Sequence, residues 1–123
     1  MKAIEFLQAA TELLVKQPIK EVDCRNAASR AYYCIFHTCK QLLKQYPPTE
    51  SQYGTEHQKI INELKQHQDK RFKSLGNMLE TSRDQRVRAD YKLEEEFTFR
   101  DAKIVIGATN KLLQKIDVIK LSS

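Results

Sequence analysis

The chain has 123 residues, a formal charge of +5 and 30% charged residues, enough length for one domain with its own hydrophobic core. Its three cysteines, Cys24, Cys34 and Cys39, form an odd set without a Cys-x-x-Cys pair, so free thiols in a reducing cytosol are expected rather than a disulfide framework. The N-terminus interleaves Glu5, Gln8, Glu12 and Lys16 with apolar residues, which excludes a signal peptide or membrane span there and predicts a soluble, cytoplasmic protein.

Helical periods run through the sequence and strand alternation is absent. A first helix is expected from about Lys2 to Gln17, with Ala3, Leu7, Ala10 and Leu14 on one stripe and Pro18 ending it. A longer second helix starts near Asp23 and stops before Pro47-Pro48. Its apolar stripe is Ala28, Ala31, Ile35, Cys39 and Leu42, widened by Tyr32, Phe36 and Leu43. Tyr46 to Gly54 reads as a loop, and Thr55-Glu-His-Gln58 has the form of a capping box opening a third helix with Ile60, Ile61 and Leu64 inward. A fourth helix after Asp69 carries Phe72, Leu75, Met78 and Leu79, and either breaks near Gly76 or continues to Tyr91. Lys92 to Phe97 reads as a turn. Thr98 and Asp101 open a last helix that packs through Ala102, Val105, Ile106, Thr109, Leu112, Leu113 and Ile116. The pattern predicts an all-α, up-and-down antiparallel bundle of four main helices plus a short fifth.

The second helix has another stripe. Asn26, Arg30, Tyr33, His37, Lys40 and Lys44 recur at steps of three and four, so a polar, basic line runs beside the apolar one. Arg30 and His37 are seven residues apart, about 10 Å along the axis, and leave the same face. A guanidinium and an imidazole on one groove suit cleavage of an RNA backbone without metal; packing or solvation of the same residues is the plain alternative. Between Lys70 and Lys92 seven bases stand against three acids. That stripe fits a polyanionic partner or a solvated helix face.

The stretch Ser29-Arg-Ala-Tyr-Tyr-Cys-Ile-Phe-His37 resembles the central helix of HEPN domains (higher eukaryotes and prokaryotes nucleotide-binding), whose signature is Arg, four to six residues, then His. Arg83-Asp-Gln-Arg-Val-Arg-Ala-Asp-Tyr91 is similar to a second block of that family, and Thr55-Glu-His-Gln58 falls where the family often opens a helix. The resemblance covers nearly the whole chain and implies a single HEPN-like domain over residues 1–123, a homodimer joined through the central helices, and Arg30 and His37 as the catalytic pair. It further implies a metal-independent ribonuclease, acting as a toxin or phage-defence effector beside a nucleotidyltransferase-type antitoxin. The alternative is an inactive HEPN module that binds RNA or a nucleotide, or supports such a nucleotidyltransferase.

The chemistry expected is attack of the RNA 2′-hydroxyl on the adjacent phosphorus. His37 moves the proton, since an imidazole ordinarily titrates near 6.5, and Arg30 holds the phosphate oxygens in its fork. Asn26, Tyr33, Lys40 and Lys44 from the polar line, with Arg86 and Arg88 from the basic stripe, are the RNA-binding candidates. No cofactor or metal is expected. Cys34 and His37 have helical ligand spacing but no second Cys/His pair completes a zinc site, and no Gly-rich phosphate loop is present. His57 and His67 are expected at exposed helix ends, and Glu94-Glu95-Glu96 as a solvated turn.

Overall fold

Residues 21–45 contain no Gly or Pro and alternate an Ala-rich half with an aromatic half, and they form the axis of the molecule. In the computed structural model, which describes residues 1–122, five α-helices form and no strand: α1 (Ile4–Leu14), α2 (Glu21–Gln45), α3 (Glu56–Lys65), α4 (Phe72–Tyr91) and α5 (Phe99–Leu121). All four other helices pack on α2. Among the described residues, no helix is long and apolar enough to cross a membrane.

Side-chain pairings fix the directions. Phe6 of α1 lies against Tyr33 and His37, while Lys16 just beyond α1 reaches back to Asp23 at the start of α2, so the two helices run antiparallel. Arg25, Ser29 and Tyr33 of α2 meet Ala89, Asp90 and Arg86 of α4, also antiparallel. The α4–α5 hairpin closes through Arg88 and Asp101 at one end and Arg71 and Ser122 at the other. Helices α1, α2, α4 and α5 are therefore the up-and-down bundle. The short α3 is the addition: it pairs antiparallel with α4 through Gln58–Arg83 and Lys65–Glu80, and the long 46–55 link lets it run in the same sense as α2.

Two clusters fill the interior. Around the first half of α2, Cys24, Ala27, Ala28 and Ala31 pack with Ala10, Ala89, Phe97, Ala102 and Val105; small side chains let three helices approach the axis closely. Around the second half, Tyr32, Ile35, Phe36, Cys39, Leu42 and Leu43 pack with Ile60, Ile61, Leu64, Phe72, Leu75, Leu79, Leu112, Ile116 and Ile119. The three cysteines are free and buried along α2, and burial raises each thiol above its ordinary range, that of Cys39 to about 12.

Helix ends follow their side chains. Asp23 Oδ2 accepts the Lys20 backbone N–H at 3.0 Å, starting α2 two residues before the expected Asp23, and Tyr46 before Pro47 ends it. Thr98 and Asp101 form a reciprocal capping box at 3.0 and 2.9 Å. At α3 only half of the expected box exists. Thr55 accepts from the Gln58 N–H at 3.3 Å, but the Gln58 amide bonds Asn62 and Arg83 instead. Helix α1 is shorter than the period suggested, since its last turn closes by Val15 N–H to Glu12 O after Leu14.

Helix α4 runs unbroken through Gly76. A Cβ there would lie 2.8 Å from Lys65 Cγ, 3.0 Å from Lys65 N and 3.1 Å from Ile61 O, so this glycine lets the backbone of α4 approach the backbone of α3. Gly107 on α5 has nothing within 4 Å of the same position. Gly107→Ala is expected to raise stability by about 1 kcal/mol from helix propensity alone. Gly76→Ala gains the same propensity but must push α3 away, at a cost of about 1–3 kcal/mol, and is expected to lower the melting temperature. Thermal unfolding of the two variants against the parent checks the contrast.

Candidate functional site

The polar line of α2 emerges between α1 on one side and α3 with α4 on the other. Asn26, Arg30 and Lys44 are exposed; Tyr33, His37 and Lys40 are half-buried. Arg30 has no hydrogen bond or ion pair among the described residues, whereas the buried arginine of this helix is Arg25, five positions earlier. Its Nη1 donates to the carbonyls of Ala89 at 2.9 Å and of Arg88 and Lys92 at 3.3 Å, and its Nη2 donates to that of Glu95. Arg25 thus caps the end of α4 and fixes how far that helix slides along α2.

One turn further along α2, Ser29 Oγ donates to Asp90 Oδ2 at 3.2 Å, and the same oxygen lies 3.1 Å from Arg86 Nε in an ion pair one helical turn apart on α4. Arg86 Nη2 then donates to the Tyr33 phenol oxygen at 2.8 Å. The Arg86 guanidinium lies 5.8, 5.3 and 5.7 Å from the ring centres of Tyr32, Tyr33 and Tyr91, with only 13% of the side chain exposed. His37 sits one turn after Tyr33. Its ring stacks on Phe6 of α1 at 5.6 Å and 12° and meets Phe36 edge-on at 5.2 Å. The imidazole plane is thereby set by two helices.

His57, the second residue of α3, belongs to the same wall. Its ring lies 4.5 Å from Phe36 and stacks on Tyr32 at 5.6 Å, and its Nδ1 is 2.5 Å from the Tyr32 hydroxyl. Burial, then the charges of Arg86 and Arg83, hold the His57 imidazole below its ordinary range. Burial drives the Tyr32 phenol far above its own. Both are therefore neutral near pH 7, with Tyr32 donating to Nδ1. The exposed position expected of His57 is thus overturned. His57 is half-buried, and His67 is buried: it stacks on Phe72 at 4.1 Å, its Nε2 donates to Tyr46 O at 2.8 Å and its Nδ1 accepts from Asp69 N.

The basic stripe does not form one face. Arg71 pairs with Asp69 at 2.7 Å, and Arg83 bonds Gln58 at 3.3 Å. Arg88 reaches Glu95, Asp101 and the Glu96 carbonyl over the Phe97 ring, bracing the α4–α5 turn away from Arg30. The Glu94–Glu96 run is the exposed turn expected, and Glu95 also takes part in that brace. Lys40 pairs with Glu56 at 2.5 Å on the rim beside His57. Of the expected site residues, contacts join Arg86, Tyr33 and the His37 ring; Asn26, Arg30, Lys40 and Lys44 share the α2 line with them, and Arg88 lies elsewhere. The sequence gives no cue to Phe6 or His57 as members of this wall, because their partners lie 21 to 31 positions away. No cluster of three or more His, Cys, Asp or Glu suited to a metal occurs among the described residues.

The model of the HEPN domain matches residues 1–119, and the chain belongs to the HEPN domain family. That family is a nucleotide-binding and ribonuclease-type module. No curated protein and no solved structure matches the chain.

The His57 arrangement sets a pH dependence. Its folded pKa lies below the unfolded value, so the unfolded chain takes up a proton first as pH falls through about 6.5, and stability present above that pH is lost toward the folded pKa. The carboxylates held low here, Asp23, Glu56, Asp69 and Asp101, titrate below this window. The melting temperature is expected to fall between pH 7.5 and 5.5, and His57→Gln to flatten that fall; equal slopes in both proteins would remove His57 as its source.

Proposed function

We propose that this chain is a metal-independent endoribonuclease that works as a homodimer joined through α2, with Arg30 and His37 as its catalytic pair. The observation that carries the reading is the contrast among the cations around α2. Arg25, Arg83 and Arg86 are all engaged within the fold, while Arg30 is exposed and unpartnered on the same stripe as an imidazole fixed by stacking. A free guanidinium beside an oriented proton carrier is the minimum that 2′-hydroxyl attack needs.

In this reading two α2 helices meet across a two-fold axis and surround one groove with two Arg30 and two His37 side chains. Arg30 forks onto the non-bridging oxygens of the scissile phosphate and stabilises the charge that builds in the transition state. His37 takes the proton of the 2′-hydroxyl as its oxygen bonds phosphorus, and returns it to the 5′-oxygen as the P–O5′ bond breaks. The products are a 2′,3′-cyclic phosphate and a 5′-hydroxyl, and DNA lacks the nucleophile. Asn26, Lys40 and Lys44 hold flanking phosphates along the line. The biological role proposed is that of a cytoplasmic toxin or phage-defence effector restrained by a nucleotidyltransferase-type antitoxin.

A second reading, a non-catalytic HEPN module that holds RNA or a nucleotide, draws on Ala31. That residue follows Arg30 into the core and supplies no polar group beside it.

Cleavage of a labelled RNA in EDTA separates the two. Arg30→Ala and His37→Ala are each expected to lower cleavage about 100-fold or more while the helical signal and the dimer persist. Cutting that survives a 2′-deoxy substitution at the cleaved position, or both side-chain changes, overturns the mechanism. RNA binding without cleavage in the parent favours the second reading.

A further inference from the structure

Resting on the ribonuclease reading, we infer that Tyr33 is a further group contacting the scissile phosphate beside Arg30, and that Arg86, ion-paired with Asp90, is the positioning residue that aims it. The inference starts from hydrogen-bond accounting. A phenol oxygen has one hydrogen to give and two lone pairs to receive. At Tyr33 one lone pair takes the Arg86 Nη2–H at 2.8 Å, and the O–H finds no acceptor among the described residues. A half-buried donor held from behind by a cation, with its own proton unspent, is poised for an acceptor that the chain does not supply.

The location names that acceptor. Tyr33 stands three residues after Arg30 and four before His37, so it lies between the two on one helical face. A phosphate spanning the guanidinium and the imidazole must pass over the phenol. Arg86 itself is walled by three tyrosine rings and largely removed from solvent, so its route to the groove is through the Tyr33 oxygen. Asp90 Oδ2 lies 3.1 Å from Arg86 Nε in an ion pair, without a hydrogen bond to that nitrogen, and accepts from the Ser29 hydroxyl, so the α4 side is tied to the same α2 helix that carries Tyr33. The ligand class is an RNA phosphodiester, whose non-bridging oxygen accepts the Tyr33 hydrogen and gains charge as the 2′-oxygen attacks.

Tyr33→Phe removes the hydroxyl and keeps the ring packing on Phe6 and Tyr32. Two measurements are made on the intact protein: affinity for an oligoribonucleotide with a 2′-deoxy residue at the cut position, which binds without being cleaved, and the kinetics of the matching all-ribose strand. Tyr33→Phe is expected to weaken the first about 5- to 10-fold and to lower kcat about 10- to 100-fold, with a smaller rise in KM. Arg86→Gln is expected to reproduce these losses, and Tyr33→Phe to add nothing further in the Arg86→Gln background. A merely structural Arg86 would give additive losses or a shared fall in melting temperature.

Parental affinity and kcat in Tyr33→Phe overturn the inference and leave the ribonuclease reading standing. A parent that binds the oligonucleotide but cuts nothing overturns the ribonuclease reading, and Tyr33 is then judged on the affinity loss alone. A parent without RNA affinity at low salt overturns both.

Discussion

One buried guanidinium sets the register of this molecule. Arg25 gathers the carbonyl groups at the end of α4 and in the turn that follows, where helix geometry leaves acceptors unpaired and the helix dipole favours a cation. Each such acceptor left unpaired in the interior costs about 1–3 kcal/mol, so the arrangement is strongly preferred over a slipped one. With that end pinned, the next turns of the two antiparallel helices fall opposite each other: Ser29 meets Asp90 and Tyr33 meets Arg86. Glu21, one turn before Arg25, continues the same seam by accepting the Phe97 backbone N–H at 2.7 Å.

The line of Arg30, Tyr33 and His37 lies where the two halves of the interior meet. Beneath Arg30 the axis helix is lined with alanines, which bring its neighbours close and leave the arginine no room to fold inward. Beyond Tyr32 the packing switches to large rings, and α3 brings His57 against them. Every side chain around Arg30 and His37 stands on a helix and not on a loop, which favours fixed geometry over adaptable geometry.

How far the sequence could be read depended on the range of each interaction. Helix positions, the buried stripe of α2 and the Thr98–Asp101 cap depend on neighbours within a turn, and periodicity exposes them. The polar line of Arg30, Tyr33 and His37 was visible for the same reason. What stayed hidden were partners distant in the chain. The burial of Arg25 could not be read from its neighbours, since its acceptors are more than sixty positions away. His67 read as a surface residue because Tyr46, whose carbonyl accepts from its ring, lies 21 positions away. Gly76 offered two readings from local propensity, and the neighbouring α3 backbone decides between them. The arginines of the basic stripe looked like free charge because several of their carboxylate and amide partners, Gln58, Glu95 and Asp101 among them, come from other elements.

The three thiols have a practical meaning that follows from their spacing. Cys24 lies in the alanine-lined end, Cys39 in the ring-lined end and Cys34 between them, and all are shielded and protonated in the folded chain. A thiolate-seeking reagent therefore meets none of them until the surrounding helices part. The protein carries, at three heights on one rod, built-in reporters of which end opens first.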